Sequence, residues 1–410
     1  MTFRILSFDG GGIRGVMSAA ILRAVEKQLD QPLNEYFDLI AGTSTGSILA
    51  SAIAMGFKSD AVINLYKENG HKIFPYTNLF SLQRLGLVMQ FGLSAPKYSD
   101  QGLIEVLQNQ FGNTRLSDVQ STKLLIAAYD TLSRNGIIFK SWRKDKPWAN
   151  VPLWEACVCS ASAPSYFPAH KLETVTKGIA QVIAQDGSKN TIKLDQKNAS
   201  STNNEYDKGL IKITSGTGSG QTRTITSYDG RSRVARVDAN WQIIPDATSA
   251  YEVVMQYSVI DGGVGANNPT ACAVAEAIRI LKQKQGNTEQ QDPMDIAVLS
   301  IGTGSSNRPI RWEDARGWGL IQWGWKGRLI DVVFDAPSDI TDYITEQVMS
   351  VPGMGDDDDS SRYLRLQPEI VNDAMDDATP LNVAQLIKFG EEYVEVNKDL
   401  LMKFLQGTSS

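Results

Sequence analysis

The feature of this sequence that most constrains its fold is a serine bracketed by glycines, Gly42-Thr43-Ser44-Thr45-Gly46, which lies between two apolar segments. The segment that starts at Phe37 predicts a buried strand, and residues 47–55 predict a buried helix. A chain that passes from strand to helix around one residue must turn sharply, and glycines remove the side chains that would collide there. The turn would expose the Ser44 hydroxyl at a helix N-terminus, where backbone N–H groups favour a developing negative charge.

Two interpretations of this motif are open. In the first, Gly42, Thr43, Thr45 and Gly46 form a nucleophile elbow that presents Ser44 to a substrate carbonyl. In the second, Ser44 is a helix cap without chemistry, because a five-residue pattern is short. The predicted strand and helix on either side favour the elbow.

A glycine-rich loop follows the first predicted strand of the chain. Phe3–Phe8 predicts the strand, and residues 16–28 predict the helix after the loop. Consecutive glycines expose backbone N–H groups that bind an anion, either a phosphate or an acyl oxyanion. We therefore expect an anion-binding loop after Asp9, formed by Gly10, Gly11, Gly12, Ile13, Arg14 and Gly15.

The same loop also matches the dinucleotide-binding pattern, as Gly10-x-Gly12-x-x-Gly15. That pattern expects an acidic residue at the end of the second strand, where it holds a ribose. Here the second strand runs into Gly42-Thr43-Ser44, and Asp38 precedes the strand. A nucleotide-binding oxidoreductase is therefore kept only as an alternative.

A third motif supplies a candidate base for Ser44. Asp261-Gly262-Gly263 follows a β-branched run, and the glycines leave the aspartate free of side-chain cover. Alone, this tripeptide is a common turn. The histidines decide between a triad and a dyad: the chain has only His71 and His170, and neither follows Asp261, as the order in α/β-hydrolases would require. The sequence therefore favours a Ser44–Asp261 dyad.

These three motifs, in this order, resemble those of the patatin-like lipid acyl hydrolases. Residues 161–169, Ala-Ser-Ala-Pro-Ser-Tyr-Phe-Pro-Ala, are similar to a segment that this family carries before its aspartate. The resemblance implies a three-layer α/β/α sandwich with a central, mainly parallel sheet. It also implies a phospholipase A or lysophospholipase type of activity, in which a serine activated by aspartate cleaves fatty-acyl esters of phospholipids or other glycerolipids.

Some bacterial relatives in this family are switched by cyclic nucleotides. A second hypothesis is therefore an effector phospholipase that stays silent until a partner or a nucleotide signal binds. Neither hypothesis requires a cofactor, and we expect none. The aspartate run at residues 356–359 lacks the alternate spacing of a calcium loop, so we also expect no metal.

Residues 171–256 differ in character from the rest of the chain. Short β-prone runs alternate there with turns rich in Gly, Ser, Thr and Asn, which predicts a β-rich module. We expect it to be inserted between the two parts of a catalytic domain, residues 1–170 and 257–410. The module would cap the site, bind a partner or support an oligomer; a passive insertion is the alternative.

Composition limits the class and the location of the protein. A net charge of −6 and a pI of about 5.2 give no electrostatic footprint for nucleic acid. The sequence shows neither a signal peptide nor the ~20 apolar residues of a membrane-spanning helix. The three cysteines, an odd number, favour reduced thiols. We therefore expect a cytoplasmic protein that contacts membranes peripherally.

Two apolar stretches leave their role open. Residues 79–93 are rich in Leu, Phe and Met without clean periodicity; we favour core packing, with a flap over an acyl-chain channel as the alternative. Tryptophan suits an interface with one apolar and one wet side. The tryptophans at positions 312, 318, 323 and 325 therefore predict either a lipid-facing rim or packing against the domain.

Overall fold

The computed structural model describes residues 2–78, 81–144, 146–176, 182–285, 295–305, 309–324, 328–350, 362–372 and 374–408. The aspartate run at 356–359 and Trp325 lie outside these residues. The strands are β1 (Phe3–Phe8), β2 (Leu39–Thr43), β3 (Lys123–Asp130), β4 (Asn135–Lys140), β5 (His170–Val175), β6 (Val182–Ile183), β7 (Asp186–Ser188), β8 (Thr191–Lys193), β9 (Leu210–Ser215), β10 (Thr222–Asp229), β11 (Val234–Val237), β12 (Ala250–Asp261), β13 (Ile296–Ile301) and β14 (Tyr363–Leu366). The helices are α1 (Gly15–Glu26), α2 (Leu33–Tyr36), α3 (Thr45–Ala54), α4 (Ser59–Ile73), α5 (Leu85–Phe91), α6 (Gln101–Phe111), α7 (Leu153–Ala161), α8 (Gly263–Ala266), α9 (Thr270–Gln285), α10 (Trp312–Ala315), α11 (Leu320–Gly324), α12 (Arg328–Met349), α13 (Pro380–Val396) and α14 (Lys398–Gly407).

The chain divides into two compact units. The first unit consists of Met1–Lys144, Val151–His170 and Val259–Ser410. The second consists of Lys171–Ser258, where the sequence predicts an inserted module at 171–256, together with Asp145–Asn150. The last three residues of β12 belong to the first unit and carry the Asp261 motif.

The first unit is built on a mainly parallel sheet. Its strands lie in the order β14-β13-β1-β2-β3, each parallel to its neighbour, and β4 adds antiparallel to β3. The central strands are almost continuously apolar and buried, as expected for strands covered on both faces. Helix α9 packs against β1, β2 and β13 through a shared apolar core, and helix α3 contacts β1, β2 and β3. The predicted three-layer α/β/α fold is confirmed.

The register around β3 brings two chain ends together. Strand β2 pairs in parallel with β3, with Thr43 beside Ala127. The end of β12 pairs antiparallel with β3, with Asp261 beside Ala128. Because β4 occupies the other edge of β3 along the same residues, β2 and β12 share one edge and meet end to end. This meeting point is where the predicted nucleophile and base lie.

The second unit is an antiparallel β module. Strands β9 and β10, β10 and β11, β11 and β8, and β8 and β7 pair antiparallel with one another, and β12 pairs with β9. Its own core includes Ile211, Ile225, Trp241, Tyr251 and Val253. The sequence predicts short strands near 251–255 and 258–260, whereas the structure joins them as the single strand β12.

The structure of residues 82–93 contradicts the expectation that this segment packs in the core. The side chains of Leu82, Met89 and Leu93 are 87%, 81% and 88% exposed, so core packing is wrong for them. An apolar composition does not by itself bury a segment. Helix α5 spans only seven residues, and Gly92, which follows it, has a φ of 79°, a conformation that favours glycine. Among the described residues, no helix is both long enough and apolar enough to cross a membrane.

Candidate active site

Ser44 occupies the turn between β2 and α3 in a backbone conformation that few non-glycine residues adopt. Its φ of 54° and ψ of −126° cost about 1–3 kcal/mol, a strain typical of functional turns. A Cβ atom on Gly42 would lie 2.1 Å from the carbonyl oxygen of Gly46, and one on Gly46 would lie 2.3 Å from that of Phe8. The turn therefore closes only with glycine on both sides of the serine.

Asp261 lies in the wall of the same pocket as Ser44, in a nearly closed environment. The aspartate is 1% exposed, and its Oδ1 accepts a hydrogen bond of 2.7 Å from the Gly263 N–H. Burial raises the pKa of Asp261 to about 7, against the opposing effect of the Ser44 hydroxyl and the Gly263 N–H. A carboxyl group with a pKa near neutrality accepts and returns protons readily at physiological pH. A Cβ on Gly262 would lie 2.3 Å from the Ala127 carbonyl oxygen, so this glycine permits the close strand contact.

The amides of the glycine loop divide into bonded and unbonded groups. Gly10 N–H donates to Asn267 O at 3.0 Å, Ile13 N–H to Met375 O at 2.8 Å, and Arg14 N–H to Gly11 O at 3.2 Å. Among the described residues, no hydrogen-bond acceptor contacts the N–H of Gly11 or Gly12. These two amides are consecutive donors in the pocket that also contains Ser44, so they are suited to bind an oxyanion.

A buried ion pair fixes the start of this loop. Arg365 on β14 donates two hydrogen bonds to Asp9, of 2.8 and 2.5 Å, and a third of 2.8 Å to Ser300. Burial disfavours the charged guanidinium, but the adjacent Asp9 carboxylate raises the pKa of Arg365 overall. Bidentate arginine–carboxylate pairs are geometrically specific, so Asp9 is held in one orientation.

Two further side chains stabilise the glycine loop by hydrogen bonds to main-chain carbonyl groups. Thr303 Oγ1 donates to Gly10 O at 2.7 Å. The Arg14 guanidinium donates to Gly11 O and Gly304 O, both at 3.3 Å, and the residue is only 8% exposed. The Arg14 side chain therefore connects the glycine loop to the backbone at Gly304.

Ser160, on helix α7, joins the nucleophile to the sheet. Its hydroxyl accepts a hydrogen bond of 2.9 Å from the Ser44 N–H and donates one of 2.6 Å to Ala127 O. The Ser160 carbonyl accepts from Gly262 N–H at 3.3 Å, and Ser162 O accepts from Asp261 N–H at 3.0 Å. The C-terminal end of α7 thus positions both Ser44 and Asp261.

The pocket around the dyad is mostly apolar. Its empty space, including the mouth, amounts to about 650 Å³, and Ser44, Asp261 and the loop glycines lie in its wall. Within the described residues, no group of three or more His, Cys, Asp and Glu side chains could hold a metal ion. The remaining wall is formed largely by apolar and aromatic side chains: Ile48, Ile73, Phe74, Leu103, Tyr166, Phe167, Phe334 and Met375.

The other predicted site residues support this geometry through hydrogen bonds and close packing, and Thr45 also lies in the pocket wall. Thr43 Oγ1 donates to Ala266 O at 2.7 Å, and the Thr45 hydroxyl bonds the Tyr66 hydroxyl. A Cβ on Gly15 would lie 2.4 Å from Thr45 Oγ1, and one on Gly263 would lie 2.2 Å from the Phe334 ring. These positions therefore require glycine for close packing.

The sequence interpretation missed three residues that shape the site, namely Ser160, Asn267 and Arg365. A signal existed for Arg365, because a lone arginine interrupts the apolar strand Tyr363–Leu366. Ser160 and Asn267 carried no such signal, because short polar side chains are common near helix ends.

Comparison with known proteins agrees with this arrangement. The family model described as Patatin-like phospholipase matches residues 6–188, which include the glycine loop and the Ser44 elbow. Residues 6–188 are thus similar to a patatin-like phospholipase domain. That family supports a lipid acyl hydrolase activity.

Curated relatives extend the similarity over most of the chain. Patatin-like protein 2 of Oryza sativa subsp. indica is 27% identical over 420 residues, which cover 96% of this chain and 84% of that protein. Patatin-like protein 3 of Arabidopsis thaliana is 24% identical, with 94% and 79% covered. Probable inactive patatin-3-Kuras 1 of Solanum tuberosum is 24% identical, with 95% and 86% covered. Since one relative is named as inactive, similarity in sequence does not by itself show that this chain is active.

Among solved structures, this chain is similar to the crystal structure of VipD from Legionella pneumophila. The identity is 9% and the TM-score is 0.34. The match covers 98% of this chain and 66% of that chain.

Proposed function

We propose that this protein is a carboxylic-ester hydrolase that releases fatty acids from phospholipids or related membrane glycerolipids. The observation that carries the proposal is that Ser44 and a buried Asp261 line one apolar pocket together with the unbonded amides of Gly11 and Gly12. Together these groups supply a nucleophile, a base and an oxyanion site for acyl transfer.

The first step forms an acyl-enzyme. Ser44 Oγ attacks the ester carbonyl carbon while its proton passes to the Asp261 carboxylate. The carbonyl oxygen becomes an oxyanion, which the amides of Gly11 and Gly12 stabilise by about 3 kcal/mol for each donor. The tetrahedral intermediate then collapses, and the leaving alcohol takes the proton from Asp261.

The second step restores the enzyme. Water attacks the acyl carbon, and Asp261 accepts the proton from that water. When the second tetrahedral intermediate collapses, Ser44 Oγ leaves, regains a proton from Asp261 and releases the fatty acid. One carboxyl group serves both steps because its pKa of about 7 lets it exchange protons at neutral pH.

The lining of the pocket supports an acyl chain as the bound group. Apolar and aromatic side chains dominate the wall next to Ser44, so they would bury methylene groups at about 0.8 kcal/mol each. A nucleotide is not favoured, because its phosphates at the glycine loop would meet the Asp261 carboxylate in the same pocket.

The test is fatty-acid release from mixed phospholipid vesicles by wild type, Ser44→Ala and Asp261→Asn, with products identified by mass spectrometry. We expect the wild type to release fatty acid and both variants to be folded but silent. Full activity of Ser44→Ala would contradict the proposal. If the wild type were active only after a nucleotide or a protein partner is added, the effector hypothesis would replace constitutive hydrolysis.

A further inference from the structure

Between helices α4 and α6 the chain leaves the wall of the pocket and returns to it. Ile73 and Phe74 lie in the wall where α4 ends. The chain returns at Tyr98, whose ring centroid lies 5.5 Å from that of Phe74 and 5.7 Å from that of Phe167, also in the wall. We call residues 75–78 and 81–97 the surface segment; residues 79 and 80 lie outside the described residues.

The returning end of the surface segment is firmly attached. Lys97 N–H donates to Ser165 O at 2.8 Å, and Tyr98 N–H donates to Tyr166 O at 2.7 Å. Asp376 Oδ2 accepts from Lys97 Nζ at 2.5 Å and from the Tyr98 hydroxyl at 2.7 Å. The position of the segment is therefore coupled to the pocket wall rather than to a distant surface.

The middle of the surface segment presents apolar side chains to solvent. Arg84 folds back and donates to Ala95 O at 2.5 Å and to Pro96 O at 3.3 Å, which closes the segment on itself. A cluster of exposed large apolar side chains in one short segment marks an interaction site. Its members and their exposed fractions are Leu82 87%, Leu85 56%, Met89 81%, Phe91 51% and Leu93 88%.

The charge of this region indicates the kind of partner. Residues 69–99 contain no Asp or Glu, although the whole chain has a net charge of −6. The ionic side chains there are Lys72, Arg84 and Lys97, of which Lys97 forms an ion pair with Asp376. A lipid interface accepts apolar side chains flanked by cations, whereas carboxylates would be repelled by anionic headgroups. The surface segment matches those requirements.

We propose that residues 82–93 dock onto a lipid bilayer and hold the adjacent pocket against it. This inference rests on the proposed function, which requires the pocket to receive an acyl chain from a membrane. Insertion of the apolar side chains transfers them from water to the acyl boundary, and binding scales with the apolar area buried. The docking residues lie outside the reaction centre, so chemistry and docking can be separated by experiment.

The binding arm uses Ser44→Ala, which cannot consume the lipid, with phosphatidylcholine vesicles in a co-sedimentation assay. Adding Leu82→Ser, Met89→Ser and Leu93→Ser should weaken vesicle binding by about tenfold or more. Leu381→Ser is the matched control, because Leu381 is 72% exposed on α13, outside the surface segment. It should leave binding unchanged.

The catalytic arm compares the same triple substitution, with Ser44 intact, on vesicles and on soluble p-nitrophenyl butyrate. We expect hydrolysis of vesicle lipid to fall by the same factor as binding, while hydrolysis of the soluble ester stays at the wild-type rate. Equal loss on both substrates would overturn the proposal, because the segment would then act on the reaction itself.

Two other results would also overturn it. One is vesicle binding of the triple variant equal to that of its Ser44→Ala parent. The other is a change from dimer to monomer in sedimentation velocity with vesicle binding intact, which would make the segment a contact between copies. Failure of the proposed function looks different: the wild type would cleave neither substrate, while the binding arm would still decide whether the segment docks.

Discussion

Ser44 and Asp261 meet because the strands that carry them approach the same edge of β3 from opposite directions. Thr43, the last residue of β2, pairs with Ala127, and Asp261, the last residue of β12, pairs with the next residue, Ala128. The position of the dyad is therefore set by strand register, which is far stiffer than the side chains themselves.

Ser160 should affect turnover through the position of Ser44. Ser160→Ala removes the acceptor for the Ser44 N–H and the donor to Ala127 O. We expect kcat to fall by about 10- to 100-fold with little change in KM, because misplacing a reacting group lowers the rate of chemistry. Ser160→Thr, which keeps the hydroxyl, should recover most of kcat.

The control for this prediction is Ser162→Ala. Both serines are fully buried, but the Ser162 hydroxyl donates only to Val158 O within its own helix. The two alanine variants should lose similar stability in urea denaturation, about 1 kcal/mol each. If they also lost kcat equally, Ser160 would have only a structural role.

The acid limb of the pH–rate profile should report Asp261. Catalysis needs the carboxylate form, and burial raises the pKa of this group to about 7. We therefore expect kcat/KM to fall about tenfold for each pH unit below that value. A soluble ester avoids changes in vesicle charge during the measurement. An acid limb near pH 4 would show that Asp261 has the pKa of an ordinary exposed aspartate.

Replacing Asp261 should stabilise the fold at alkaline pH. The folded-state pKa of about 7 exceeds the ordinary value of 3.8, so the folded protein binds this proton more tightly than the unfolded chain. Stability is then lost as pH rises between these values, and the loss is complete above the folded pKa. We expect Asp261→Asn to increase the free energy of unfolding by on the order of 2 kcal/mol at about pH 8.

That gain should shrink as the pH falls towards 4, because the buried carboxyl is then neutral in wild type as well. Urea denaturation of both proteins across the pH range measures the difference. If the difference in unfolding free energy between the two proteins were the same at every pH, protonation of Asp261 would not contribute to stability.

Gly46→Ala should prevent the elbow from closing. The new Cβ would lie 2.3 Å from the Phe8 carbonyl oxygen and 2.6 Å from that of Asp9, both of them backbone atoms. We expect a loss of about 3 kcal/mol in unfolding free energy, with loss of activity. Gly136→Ala is the control, since a Cβ there meets no atom within 4 Å. Equal stability of the two variants would contradict this account of the turn.

The sequence predicted most of the features that depend on residues close together along the chain. The elbow, the glycine loop and the central strands follow from glycine placement and apolar runs, and the observed bounds of β1 agree with those expected. The fold class was implied by the resemblance of the three motifs to those of the patatin-like family, and the structure confirms it.

The features that the sequence did not predict depend on contacts between residues that are far apart along the chain. The pairing of Arg365 with Asp9 joins residues 356 positions apart; the arginine stands out in an apolar strand, but the sequence does not show which carboxylate it meets. Residues 79–93 were expected to pack in the core because their composition is apolar, but composition does not show whether a neighbouring element covers a segment.

The most direct test of the central claim is covalent labelling by a fluorophosphonate, followed by peptide mass spectrometry. The reagent reacts with an activated serine, so wild type should carry the adduct on Ser44, and Asp261→Asn should label at least about 100-fold more slowly. An adduct on another serine, or equal labelling rates for wild type and Asp261→Asn, would contradict a nucleophile at Ser44 that is activated by Asp261.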